Sequence, residues 1–311
     1  MIPLAGRMFR LAPSIAVCAL IFAIRAQAQN RGVYPLGMSA TNSGLLPAPG
    51  LTYGNQLLFF SRDHAKDDVG NTLPVQGQNY VLMDMNTFTW VSNVKLLGDG
   101  VFAAAATLPF AKNSLTSNDT GYISGGAGFA DSYYLPFILG WTRKRLAIRA
   151  IYGFLAPTGR YVAGGNSNVG SGYWTHTVSS GQTFYLDAGR RFILSTFEMY
   201  EFHTTQEGTG IHPGDTFDLD YSLVRAFPLS STVHLQIGAA GYEARQTTAK
   251  TGPDVSLAAT QERYSVNSLG FLVNAAFPKH KTSLGLRYFK EFHDRSTFQG
   301  YSVQLYGSIS F

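Results

Sequence analysis

The chain has 311 residues, of which 14% are aromatic and only 14% charged, with 24 Lys+Arg against 19 Asp+Glu and one cysteine. Three arginines and no acid precede residue 29; without them Lys+Arg falls to 21 and the formal net charge from +5 to +2. That balance excludes a nucleic-acid partner recognised by basic charge, because no cluster longer than Arg143-Lys144-Arg145 remains.

Arg7 and Arg10, an apolar stretch from Leu11 to Ile24 and the small-residue sequence Ala26-Gln27-Ala28 have the order of a secretory signal peptide over residues 1–28, with cleavage expected after Ala28 and Ala26 as the runner-up. The apolar stretch is too short to be a spanning helix, which takes about 20 apolar residues. Cys18 falls inside this signal, after Val17 where lipidation requires a small residue, so it reads as apolar filler. A mature chain without cysteine has no disulfides, although its compartment permits them. Residues 29–50 contain three prolines and show no hydrophobic period, which fits either a disordered leader or a plug lying in a lumen.

From residue 51 onward no apolar run approaches transmembrane-helix length, and the longest, Val101 to Phe110, is broken by Thr107 and Pro109. What recurs is period-two alternation over about ten residues between turn signals, the pattern of a membrane-spanning barrel strand. In chain order, strands are expected near 51–63, 79–91, 98–111, 128–140, 145–156, 179–189, 191–203, 215–227, 233–246, 264–277, 282–292 and 301–311. Val101 to Ala106 lacks alternation and Asn86 to Lys95 leaves room for a helical turn, so the total is about twelve, within a range of ten to fourteen.

The later strands are the clearest. Phe217, Leu219, Tyr221 and Leu223 oppose Asp218, Asp220 and Ser222; Leu235, Ile237 and Ala239 oppose His234, Gln236 and Gly238; Leu284, Leu286 and Tyr288 oppose Arg287 and Glu291. The last strand sets Tyr301, Val303, Leu305, Gly307, Ile309 and Phe311 against Ser302, Gln304, Tyr306, Ser308 and Ser310, with Gly307 interrupting a bulky face. Short turns at Pro228–Ser231 and Pro278–Lys281 alternate with longer polar connections at Thr204–Gly214 and Ala249–Gln261, the asymmetry of periplasmic turns and outer loops. The expected fold is therefore all-β: a transmembrane antiparallel up-and-down β-barrel over residues 51–311. Its last strand pairs with the one near Leu51 to Asp63, and the terminal Phe311 serves as assembly signal. Outer-membrane lipids and the barrel-assembly machinery are the partners this implies.

The usual catalytic motifs are missing: there is no Gly-x-Ser-x-Gly elbow, no His-Glu-x-x-His and no phosphate loop. Gly121 to Gly128 opens a strand pattern and reads as a bend in the barrel wall. Gly164 to Gly172 has no acid to hold a hard cation. The scattered histidines leave only remote metal pairings, His203 with His212 and His293 beside Asp294. His176, Ser179 and Ser180 are the one set a barrel lipid hydrolase would use, but they lie in or beside an expected loop that fixes no orientation. Neither a cofactor nor a metal is expected.

The inward polar set is Arg149, Asp187, Asp218, Asp220, His234, Gln236, Arg287 and Glu291, which either pair across a narrow lumen or line a solute path. An Arg on the lipid face costs about 2–4 kcal/mol at midplane, so Arg149 and Arg287 point inward. Over 191–203 either facing puts large apolar groups into the lumen, since Phe192, Leu194, Tyr200 and Phe202 oppose Ile193, Phe197 and Met199. That favours a path for small hydrophobic or aromatic solutes over a general hydrophilic pore.

Several segments match a known pattern: Ala130-Asp131-Ser132-Tyr133-Tyr134-Leu135-Pro136 leading to Leu139-Gly140-Trp141, then Ala156-Pro157-Thr158-Gly159-Arg160-Tyr161. Asn168-Val169-Gly170 before Tyr173-Trp174, Gly241-Tyr242 before Gln246, and Tyr288-Phe289-Lys290-Glu291-Phe292 follow in order. In these the chain resembles the outer-membrane transporter family named for the meta pathway of phenol degradation. The resemblance implies an outer-membrane barrel for uptake of aromatic or other hydrophobic compounds. Passive diffusion is the expected mode. The alternatives are a structural or adhesive barrel with a closed lumen and, third, a lipid hydrolase.

Overall fold

The computed structural model describes residues 31–117 and 121–311; the expected signal peptide lies outside the described residues. Among these, thirteen strands run in chain order: β1 (Gly50–Lys66), β2 (Thr72–Leu96), β3 (Gly100–Ser117), β4 (Gly121–Phe129), β5 (Ser132–Thr142), β6 (Leu146–Ala156), β7 (Thr175–Tyr185), β8 (Phe192–His203), β9 (Thr216–Pro228), β10 (His234–Gln246), β11 (Ser265–Phe277), β12 (Thr282–Glu291) and β13 (Phe298–Ser310). Each pairs antiparallel with its neighbours, and β13 returns to β1 in a register from Thr52↔Ser310 to Ala65↔Phe298. With β2 also paired to β3, the sheet closes into a barrel.

β4 and β5 are two halves of one stave, which makes the barrel twelve-stranded. The first half of β3 pairs with β5 (Val101↔Gly140 to Thr107↔Tyr133), and its second half pairs with β4 (Phe110↔Phe129 to Ser117↔Gly121). The interruption lies opposite Pro109, whose carbonyl accepts from Ala130 N at 2.9 Å. A strand residue sends its N–H and C=O to the same neighbour, so the donor that proline lacks is the one this stave needed. The gap is tied down by Asp131, whose carboxylate accepts from Gly159 N at 2.9 Å and from Ser171 N and Oγ, each at 2.7 Å.

Most strands have 10–13 residues, enough to cross a bilayer when tilted. β1, β2 and β3 are longer, at 17, 25 and 18 residues, so their hairpins extend beyond the membrane. Outside the bilayer both faces meet water, which is why alternation fades there and these strands outrun the expected 51–63, 79–91 and 98–111. Asn86–Lys95 holds no helical turn; it continues β2 and pairs with the start of β3, Lys95↔Val101. Five short connections lie at the end of the barrel near Gly50 and Ser310, and the longer ones, 157–174, 204–215 and 247–264, at the other.

Facing follows the sequence alternation closely in β9 and β13: Asp218, Asp220, Ser302 and Gln304 are buried, whereas Leu223 and Leu305 are exposed. The ambiguous strand resolves with Ile193, Phe197 and Met199 inward and Phe192 and Phe202 outward. Aromatic clusters ring the outer surface at both levels, with Trp90, Phe102 and Phe137 toward the short-turn end and Phe154 and Trp174 toward the other. Gly307 no longer breaks the lipid face, because the Leu284 side chain from β12 leans over it. Phe311 is exposed, and its N–H donates to Leu51 O at 2.9 Å.

β7 departs most from expectation, since it starts at Thr175 and ends at Tyr185, not at 179 and 189. Its first residues, Thr175 to Thr177, are polar on both faces and Val178 and Phe184 are the only aliphatic or Phe side chains on its outer face, so no apolar alternation marks where it begins. The inward face, Thr175, Thr177, Ser179, Gly181 and Thr183, is made of small residues. That leaves space in the lumen for another piece of chain.

Candidate functional site

Residues 31–49 lie inside the barrel, running from the long-loop end down to Gly50. With Pro35, Pro47 and no period, this segment cannot form a ladder of its own, so its backbone polar groups need partners from the wall. The wall supplies them in tiers. Arg31 pairs with Glu291 at 2.6 Å and also donates to the Phe298 carbonyl. Glu201 accepts from Val33 N at 2.9 Å and Tyr34 N at 2.7 Å. Asp220 accepts from Tyr34 Oη at 2.5 Å, Gly37 N at 2.8 Å and Ser39 N at 3.0 Å.

Donors on the wall take the segment's carbonyls in turn: Gln304 Nε2 bonds Leu36 O at 2.8 Å, Arg287 Nη1 bonds Met38 O at 3.0 Å and Ser222 Oγ bonds Ala40 O at 2.5 Å. Lower down, Asn42 exchanges amide bonds with Gln236, and Gly44 N donates to Thr183 Oγ1 at 3.0 Å. At Gly44 a Cβ would collide with the Ala147 carbonyl, so only glycine permits this approach. All these wall partners belong to β7–β13 or lie immediately before one of its strands.

Beside the segment, among the described residues, lie two larger cavities and a small one of about 150 Å³ between Arg31–Leu36 and Phe60, Asp218 and Tyr264. The upper one, about 480 Å³, has Met83, Met85, Met199, Val81 and Leu155 on its walls, with Arg31 to Pro35 and Met38 of the segment beside them. The lower one, about 350 Å³, reaches Thr52 and Ser308 near the short-turn end. Tyr34, Met38, Thr107, Tyr133 and Met199 line both cavities and form a neck between them. Both volumes fall in the range of small-molecule sites, roughly 300–1,000 Å³.

Of the residues expected in the lumen, Arg149, Asp218, Asp220, Gln236, Arg287 and Glu291 are there. Asp218, Asp220, Arg287 and Glu291 are almost wholly buried. Asp187 is not: it sits in the β7–β8 turn, where its carboxylate accepts from Gly189, Arg191 and Phe192 N–H groups. The displaced start of β7 moved it out of the strand. Those backbone donors, Phe192 first, hold its carboxyl below the usual carboxylate range. His234 begins β10 at the barrel's short-turn end and is exposed there, so it lines no chamber. Opposite charges pair in the lumen where Arg31, at 2.6 Å, and Arg62, at 3.2 Å, both meet Glu291, with Asp294 at 3.5 Å from Arg31.

Glu201, Tyr34, Tyr133, Met38, Met83 and Met85 were not singled out for the lumen by the sequence reading, whereas Met199 was named there in one of two alternative inward sets. Glu201 had a signal in its parity with Ser195 and His203, and the others not singled out had none that distinguishes them from core. In the inner segment, burial opposes the Arg31 charge, but Glu291 and Asp294 outweigh it and raise its pKa. Burial and the Asp220 charge push the Tyr34 phenol well up.

The hydrolase set is not assembled. His176, Ser179 and Ser180 lie within β7, where Ser179 faces inward and is buried. Ser180 Oγ bonds Glu198 at 2.9 Å, while His176 Nδ1, four residues along, meets Tyr152 Oη at 2.9 Å. Of the metal pairings considered, His203 Nδ1 is bonded to Thr175 Oγ1 at 2.8 Å. Among the described residues no group of three or more metal-type ligands occurs.

The sequence profile of the family described as MetA-pathway of phenol degradation matches residues 62–306. The chain belongs to this family. Among solved structures, this MetA-pathway family barrel is similar to an outer-membrane channel from Pseudomonas putida F1, with a TM-score of 0.69 and 13% identity over 86% of this chain and 97% of that one. The β domain of the Bordetella autotransporter BrkA gives 0.48 and 13% identity over 85% and 100%. The first likeness shows a shared outer-membrane barrel fold. No curated protein sequence matches the chain.

Proposed function

We propose that this MetA-pathway family barrel is an outer-membrane channel for passive passage of small hydrophobic or aromatic solutes. The observation that carries this reading is the pair of cavities joined by a neck of Tyr34, Met38, Thr107, Tyr133 and Met199. Thioether and ring surfaces there accept apolar solutes with little desolvation cost and adapt to their shape. Solute enters from the long-loop end, rests in the upper cavity and passes the neck as Met38 and its neighbours shift. In this reading the barrel acts by passage alone, with Ser180 bonded to Glu198 and His176 to Tyr152.

The inner segment supports a second reading, a structural barrel whose lumen stays closed. Reconstitution separates the two. The purified barrel in liposomes is expected to speed entry of toluene or phenol and to show small, defined currents in planar bilayers. Silent bilayers together with unchanged solute entry would favour the closed barrel and sink the channel.

A further inference from the structure

The two larger cavities differ in charge. In the upper one, Arg31 and Arg62 are both paired with Glu291, and the carboxylates of Asp131 and Glu201 line it as well. The lower one is lined by Arg149 and Arg287, and among the described residues no Asp or Glu lines it. Arg287 is 3% exposed; it spends Nη1 on the Met38 carbonyl and lies over the Tyr306 ring at 3.8 Å, leaving Nε without a partner. Arg149 sits 5.9 Å from the Phe197 ring centroid, and its Nε is buried without a partner as well. Asp220 feels the Arg287 charge, but its oxygens are taken by Tyr34, Gly37 and Ser39.

A guanidinium held away from water without an acid is costly, and the cost falls when a carboxylate meets it through paired N–H donors. A buried, unpaired hydroxyl stands on each side of this cavity, Ser179 Oγ on β7 next to the Arg149 strand and Tyr306 Oη on β13 next to the Arg287 strand. Beside them stand apolar surfaces, Leu46, Leu135, Ile138 and Ile151. We infer that the lower cavity is a binding site for small amphipathic carboxylates, with the carboxylate on Arg149 beside the Ser179 hydroxyl of the neighbouring strand and an aromatic or branched apolar body against the β5–β6 wall. This deepens the channel reading and rests on it, since it makes acids such as arylcarboxylates preferred cargo over neutral hydrocarbons. Neutral polar solutes would lack the charge, and simple anions the apolar contact.

The test is calorimetric titration of the detergent-solubilised, full-length barrel with benzoate, benzyl alcohol and acetate. Benzoate is expected to bind one per barrel, at least tenfold more tightly than either of the others. Arg149→Gln, which removes no hydrogen bond to the inner segment, is expected to weaken benzoate at least tenfold without altering heat-modifiable mobility, and Arg149→Lys to restore part of the loss. Equal binding of benzoate and benzyl alcohol, equal binding of benzoate and acetate, or benzoate affinity unchanged in Arg149→Gln would each overturn the site. Binding without any flux would instead refute the channel and leave the site standing.

Discussion

The wall from β7 to β13 meets the inner segment with carboxylates, amides and hydroxyls in successive tiers, whereas the wall from β1 to β5 faces the lumen with methionine, threonine and alanine on β2 and β3 and with Gln56, Phe60, Leu135 and Ile138 beside them. Glu201, Asp220, Gln304 and Ser222 each bond the segment's backbone directly. Met83, Met85, Ala105 and Thr107 instead line the cavities. A peptide without secondary structure is held only where a wall satisfies its backbone groups, and solute passes where the wall does not. The barrel therefore divides into a docking half and a path half, and side-chain chemistry sets the boundary.

Deleting residues 31–46 removes the contrast altogether and carries the largest expected effect. The strands pair without help from the segment, so the barrel still folds, and single-channel conductance rises several-fold. Next comes Asp220→Ala, which withdraws the acceptor of three hydrogen bonds to the segment. Docking weakens by about 2–4 kcal/mol, given what bonds to a buried charge contribute. The segment then becomes cleavable by added protease in the otherwise intact barrel, and brief large openings appear in the current.

A change on the other half sharpens the comparison from the opposite side. Thr107→Phe narrows the neck from the path wall, so aromatic uptake falls while protease resistance of the segment stays as it was. The smallest effect lies outside both halves, at Asp187→Ala in the β7–β8 turn. The native carboxyl titrates below its ordinary range. It therefore contributes stability above the unfolded carboxylate value, near 4, and loses it as pH falls through the lower folded value. Denaturant midpoints of the two proteins should differ slightly at pH 7 and converge at pH 2.

Much of the barrel was legible in the sequence because lipid and lumen impose opposite demands on alternate residues. β9, β12 and β13 show this plainly, and their inward acids and Arg287 stand where parity put them. β7 concealed itself, since Thr175 to Thr183 is polar or small on both faces except at Val178, and Asp187 was misplaced with it. Residues 31–49 were harder still. Tyr34 and Gly37 are fixed by Asp220, more than 180 residues away, and no local period records such a partner. The neck depends on the same long-range docking, so its five residues could not be assembled from pattern alone.

The division of the wall is open to one direct measurement, aided by a chain whose only cysteine, Cys18, falls within the expected signal peptide. Single cysteines placed at Thr87 and Gln56 on the path half, and at Ser195 and Ser222 on the docking half, are treated with a small charged thiol reagent in the folded barrel. Fast modification at Thr87 and Gln56 is expected, with Ser195 and Ser222 at least tenfold slower until residues 31–46 are deleted. Equal rates at all four positions in the full-length protein would contradict the division of the barrel into a docking half and a path half.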